Sequence, residues 1–266
     1  MTHAISRLPR RRFLQAGACG VAFAAAVPNL VLGAPDPQVV AKAINDIERT
    51  NALLATARVE LRRKGAEPRF RDLEMATARA GKSDLSLRRY AFLAPSDIRG
   101  TKLLVHEQAR KANDLWLLLP GVGKVRRISA SKLANSFAGT DFSYANLMAT
   151  RLENFSHAIL ASDGKSVTLE STVLDRSYAR KIGYARAITK ARAGTFIPFQ
   201  VDYFDAKGRH IKTQKMSNAA KSPDGKFILK SRHMIVHGKG RETVIQLSKL
   251  NFRPKLGTAD FKSQSL

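Results

Sequence analysis

Ala57-Arg58-Val59-Glu60-Leu61-Arg62 alternates apolar and charged residues one for one, and Lys64-Gly65 stops the run. A period of two puts Ala57, Val59 and Leu61 on one face of a strand and the charges on the other. The same grammar repeats outward from this stretch. Phe70 to Ala80 reads as the next strand, turned by Gly81-Lys82-Ser83, and Leu85, Leu87, Tyr90 and Phe92 carry a third to the break at Ala94-Pro95-Ser96. Lys102 to Glu107, Asp114 to Leu119 and Val125 to Ile128 add three more. Upstream the period is helical. Asp36-Pro37 is a cap followed by a first-turn proline, and Val40, Ala43, Ile44, Ile47 and Leu54 form a stripe opposite Asp46 and Glu48.

Residues 130–150 lack a two-residue period and hold Phe137, Gly139, Asp141, Phe142 and Tyr144. A segment of this length between strands reads as short helical turns in a lid or binding loop. Strands resume at Lys165–Leu174, Phe196–Phe204, His210–Met216, Phe227–Val236 and Glu242–Leu250. Their turns are Asp205-Ala206-Lys207-Gly208, Ser222-Pro223-Asp224-Gly225 and Gly238-Lys239-Gly240. The count is about eleven strands in a meandering antiparallel sheet with few helices.

The N-terminus carries an export signature. Arg10-Arg11-Arg12-Phe13-Leu14 fits the twin-arginine pattern, an uncharged run extends from Ala16 to Val27, and small residues follow at Gly33 and Ala34. Pro28 and Asn29 interrupt that run, which argues against a spanning helix. The division expected is a signal over residues 1–34, cut near Gly33 or Ala34, and one domain over 35–266. Cys19 is the only cysteine and lies in the signal; Ala16, three residues before it, departs from a lipoprotein box. The processed chain thus has no disulfide, thiolate metal site or cysteine nucleophile.

Of the 46 basic residues, the four arginines of residues 1–34 go with the signal, leaving 42 against 21 acids and a net charge of +21. The basic residues are scattered through strands rather than blocked, and with export this argues against nucleic acid. An anionic membrane surface, an acidic partner or plain solubility remain as readings of the charge. The histidines are dispersed except for His233 and His237, and no H-E-x-x-H, G-x-S-x-G or phosphate loop occurs. No catalytic residue, metal or cofactor is expected.

Several strands are apolar on both faces: Trp116 and Leu118 oppose Leu115, Leu117 and Leu119, while Phe199, Val201 and Tyr203 share a strand with Pro198 and Phe204. Both faces must therefore be covered. Helices and loops packed on a curved sheet would do this. So would a cavity between sheet and lid that shelters an acyl chain.

Residues 90–147 contain Asp97-Ile98-Arg99-Gly100-Thr101, Trp116-Leu117-Leu118-Leu119-Pro120, Val125-Arg126-Arg127-Ile128 and Ser136-Phe137-Ala138-Gly139-Thr140-Asp141-Phe142-Ser143-Tyr144. With Ile197-Pro198-Phe199, Tyr203-Phe204-Asp205-Ala206-Lys207-Gly208 and Met234, this text resembles the outer-membrane lipoprotein-sorting, LolA-like proteins, in the larger exported branch associated with RND-type exporters. The resemblance covers roughly residues 36–266. It implies an open, half-closed antiparallel β-barrel whose concave face is covered by helices, and a periplasmic carrier that binds lipid or lipoprotein acyl chains in transit between membranes. The residues expected in its cavity are Tyr90, Phe92, Trp116, Leu118, Phe199, Val201 and Tyr203, under a lid of Phe137, Phe142 and Tyr144. Arg126 and Arg127 are expected to position the lid, meet anionic head groups or form a structural salt bridge. Two features depart from the family: Ala145-Asn146 stands where an acidic residue is usual, and the signal is of the twin-arginine rather than the Sec type. An accessory protein docking on an inner-membrane exporter is the alternative function. An enzyme acting on an exported polymer would require a polar cleft with clustered acids or histidines.

Overall fold

The structure, a computed structural model, describes Met1 and residues 35–266 except Lys82, and the expected signal lies outside the described residues. Residues 35–266 fall within one compact unit. The first helix, α1 (Pro37–Asn45), starts where the capping signal places it. The Asp36 carboxylate accepts the backbone N–H groups of Gln38 and Val39, filling two of the donors that a helix start leaves unpaired. The helix ends before Ile47, and Leu54 belongs to the first strand rather than to the helical stripe.

Thirteen strands follow: β1 (Ala52–Arg63), β2 (Ala66–Arg79), β3 (Ser86–Ala94), β4 (Lys102–His106), β5 (Asp114–Leu119), β6 (Lys124–Arg127), β7 (Phe155–Ser162), β8 (Ser166–Val173), β9 (Arg186–Arg192), β10 (Pro198–Phe204), β11 (His210–Lys221), β12 (Phe227–Val236) and β13 (Arg241–Asn251). A second helix, α2 (Arg176–Ile182), joins β8 to β9. All strands are antiparallel in one sheet with the order β6-β5-β4-β3-β2-β1-β13-β12-β11-β10-β9-β8-β7. Two meanders therefore run outward from the β1–β13 pair, and the edges β6 and β7 do not pair with each other. This is an open barrel. Because β6 and β7 lie on opposite edges, the chain between them must cross the open side, and that crossing is the non-periodic segment.

The eleven expected strands are present; β7, β9 and α2 are additional. In β9 the buried positions are Ala187, Thr189 and Ala191, small or polar residues that give no hydrophobic alternation. In β7 only Phe155 is fully buried.

On the concave face, Leu53, Ala55, Ala57, Val59 and Leu61 of β1 join Leu73, Tyr90, Phe92, Leu103, Val105 and Leu115, and the crossing segment adds Leu133, Phe137 and Leu147. Further round the sheet, α1 packs Val40 and Ala41 onto Val167, Leu169 and Ala191. The other face is covered by the chain's end: Phe261, Leu256 and Leu266 lie against Ala76, Ala78, Leu87, Leu104 and Trp116. This layer explains why β4 and β5 are apolar on both sides; in β4, Leu103 and Leu104 are both wholly buried.

Candidate ligand-binding cavity

Between the concave face, α1 and the crossing segment lies a cavity of ≈ 270 Å³. Its floor comes from alternate residues of central strands, including Leu53, Val59, Ile228, Ile245 and Leu247, and α1 contributes Ala41 and Ile44. Apolar lining dominates, because the same alternation that builds the core continues around the hollow.

The lid is folded by its own sequence, residue by residue. Ser136 and Ser143 form an isolated antiparallel bridge. Between them Ala138 and Gly139 take left-handed conformations, at φ 47° and 74°. A side chain on Gly139 would start 3.3 Å from Arg71 Nη2, so the glycine serves both the turn and the close approach. Thr140 Oγ1 donates to the Phe137 carbonyl at 2.7 Å and holds the turn closed. Phe137 enters the hollow and meets Tyr90, Phe92 and Tyr144, with ring centroids 5.7, 5.4 and 6.0 Å away.

Asp141 ties the lid to the sheet. Its side chain is 1% exposed, with Oδ2 3.0 Å from Arg63 Nη1 and Oδ1 2.9 Å from Arg241 Nε. Thr243, fully buried on β13, donates to Oδ2 at 2.7 Å and accepts the Asp141 N–H at 3.0 Å. Lys212 Nζ donates to the Asp141 carbonyl at 2.9 Å. The next turn, Tyr144–Leu147, is capped by Asn146, whose Oδ1 accepts from the Ser143 N–H and hydroxyl, both at 2.9 Å. A neutral amide thus does the capping two residues after Tyr144.

Three expected cavity residues line the hollow: Tyr90, Val201 and Tyr203. Phe92 is buried below it, against Phe137. Trp116 and Leu118 do not line it. On β5 the concave positions are Leu115 and Leu117, and Trp116 packs on the opposite face with the C-terminal layer. Leu118 shares the parity of Trp116. Phe199 is also outside the lining. Its strand shifts register between Pro198 and Gln200, so a bulge hands the inward position to Pro198 and reverses the alternation.

Of the expected lid residues, Phe137 and Phe142 line the cavity. Tyr144 is half-buried behind Phe137. Arg126 and Arg127 lie exposed on edge strand β6 and hold no part of the lid; Arg127 forms an ion pair with Asp114 on β5. The basic residues that do hold it are Arg63, Arg241 and Lys212 around Asp141, and Arg88 at Leu147.

The cavity also has a polar lining, which no sequence motif marks. Glu48, Arg88, Arg232 and His157 all face the cavity. Glu48 accepts the Leu229 N–H at 2.9 Å and ion-pairs with Arg232. Arg88 Nη1 donates to the Leu147 carbonyl at 2.9 Å. His157 Nδ1 lies 2.9 Å from Ser171 Oγ, and burial lowers its pKa, so the imidazole is neutral at neutral pH. Burial raises the phenol pKa of Tyr90 and Tyr184 and pushes Tyr203 up to about 12, so these hydroxyls stay protonated. Among the described residues no group of histidine, cysteine or acid side chains could hold a metal ion, and no helix is long and apolar enough to cross a membrane.

A lidded, mainly apolar hollow on an open antiparallel barrel defines a class, the LolA-type fold, and solved structures agree. A DUF1329 family protein from Desulfovibrio piger superposes with a TM-score of 0.78 at 24% identity, over 87% of this chain and 100% of that one. An outer membrane lipoprotein-sorting protein domain from Vibrio parahaemolyticus gives 0.76 at 23%, over 86% and 98%. A LolA superfamily protein from Nitrosomonas europaea gives 0.66 at 17%, over 88% and 100%. The chain belongs to a family whose model, described as "uncharacterized protein", matches residues 87–266. No curated protein matches in sequence.

Proposed function

We propose that this protein is a periplasmic carrier that shelters the acyl chain of a lipid or lipoprotein during transfer between membranes. The observation that carries the reading is the ≈ 270 Å³ cavity beneath a lid that its own sequence motif folds and anchors. The likeness of fold to a lipoprotein-sorting domain supports it. An apolar cavity of about 150 Å³ admits benzene, so by proportion this one admits roughly eleven carbons. At about 0.8 kcal/mol for each buried methylene, such a chain gains about 9 kcal/mol before the cost of ordering it. That corresponds to micromolar binding at best, suited to a carrier that must release its cargo. Export is supported by Arg10-Arg11-Arg12-Phe13-Leu14 and the uncharged run after it. The function is binding rather than catalysis.

Native mass spectrometry of the gently purified chain, residues 35–266, tests the proposal. Adducts of lipid mass, displaced by added single-chain amphiphile, are expected. A bare protein that takes up no amphiphile at saturating concentration would overturn it.

A further inference from the structure

The charges inside the cavity do not balance. Three formally charged side chains line it, Glu48, Arg88 and Arg232. Glu48 is already used by Arg232 and by the Leu229 N–H. Arg88 is half-buried, and no carboxylate among the described residues lies within ion-pair distance of it. Its contacts are the Leu147 carbonyl and Tyr90, neither of which carries a charge. His157, the remaining titratable histidine of the lining, is kept neutral by burial. One guanidinium thus faces a mainly apolar hollow without a counter-ion, and a guanidinium has five donors, most of them unused here. Among the described residues no Arg88 nitrogen is buried without a partner, so its free donors stay accessible from the hollow and open to an anionic ligand.

We propose that the cavity selects a single-chain amphiphile with one anionic group, a carboxylate or a phosphate, which pairs with Arg88 while its chain lies against Leu53, Val59, Ile228 and Leu247. Arg88 reaches the end of the lid turn at the Leu147 carbonyl, and those apolar residues line the same hollow from β1, β12 and β13. The inference rests on the carrier reading and narrows its cargo.

The test compares dodecanoate, dodecyl phosphate and 1-dodecanol, equal in chain length, for affinity to the wild-type chain and to R88M and R88K, with thermal melts of each variant. Wild type is expected to prefer at least one anionic ligand over the alcohol by roughly tenfold or more, the scale of one charge-assisted pair. R88M is expected to bring that ratio close to one, with R88K between. Preference for the phosphate points to a lipid head group as the source, and preference for the carboxylate to a free fatty acid. Equal binding of the alcohol and both anions by wild type would overturn the inference and leave the carrier reading standing. So would an R88M protein that melts like wild type and keeps the preference. Should no ligand bind wild type, both readings fail together.

Discussion

Replacing Asp141 by Asn removes the charge that ties the lid to the sheet while keeping the side chain's size. The carboxylate is 1% exposed, whereas its partners Arg63 and Arg241 are 32% and 45% exposed. Deleting one member of a fully buried pair costs about 3–5 kcal/mol. Here the stranded arginines can turn to water and the Thr243 hydroxyl can still bond the amide, so about 2–3 kcal/mol is expected. The loss falls first on the lid, because Asp141 joins the crossing segment to β13 and has no part in the strand pairing itself. Local opening of residues 136–147 then becomes roughly 30- to 150-fold more frequent. Hydrogen exchange read by mass spectrometry separates lid peptides from those of the β1–β13 centre. The D141N chain is expected to exchange faster at Phe137–Leu147 with β1 unchanged. Lid protection equal to that of wild type, or equal loss across the sheet, would refute the anchoring role.

Other outcomes follow from the same geometry. Burial raises the pKa of all five tyrosines above the ordinary value of 10. An acid whose folded pKa is raised binds more protons folded than unfolded above pH 10, so stability declines from pH 10 through about 12, and phenolate absorbance in the folded protein lags that of free tyrosine. Trp116, the sole tryptophan, lies on the outer face, so its fluorescence is expected to ignore cavity ligands and to shift on Phe261→Ala, which uncovers it; a ligand-dependent shift would place Trp116 in the hollow after all. Val201→Trp is expected to fill the cavity and weaken amphiphile binding at least tenfold while the overpacking destabilises the fold by only about 1–3 kcal/mol. Undiminished binding to that variant, measured by displacement of a fluorescent fatty acid, would remove the cavity from the account.

Strand alternation was legible wherever one face is apolar and the other charged, as at Ala57–Arg62. It failed where the inward residues are small or polar, as with Ala187, Thr189 and Ala191 of β9. Parity was illegible on β5, because its outer side is covered by Phe261, Leu256 and Leu266, nearly 150 residues later in the chain, and the two apolar faces look alike. At Phe199 a bulge overrode an otherwise readable period. The lid motif was visible as text, but the partners of Asp141 were not: Arg63, Thr243 and Arg241 reach it only because β1 pairs with β13. The charged lining was hidden for a similar reason, since Glu48, Arg88 and Arg232 are scattered along the chain and come to line one hollow only in the folded sheet.

Photocrosslinking with a diazirine-bearing dodecanoate tests the central claim most directly. Adducts mapped by peptide sequencing are expected on the concave strands, at Leu53, Val59, Ile228 or Leu247, and to vanish under excess unlabelled dodecanoate. Labelling confined to the outer layer of Leu104, Trp116 and Phe261, or indifferent to competitor, would contradict the carrier account.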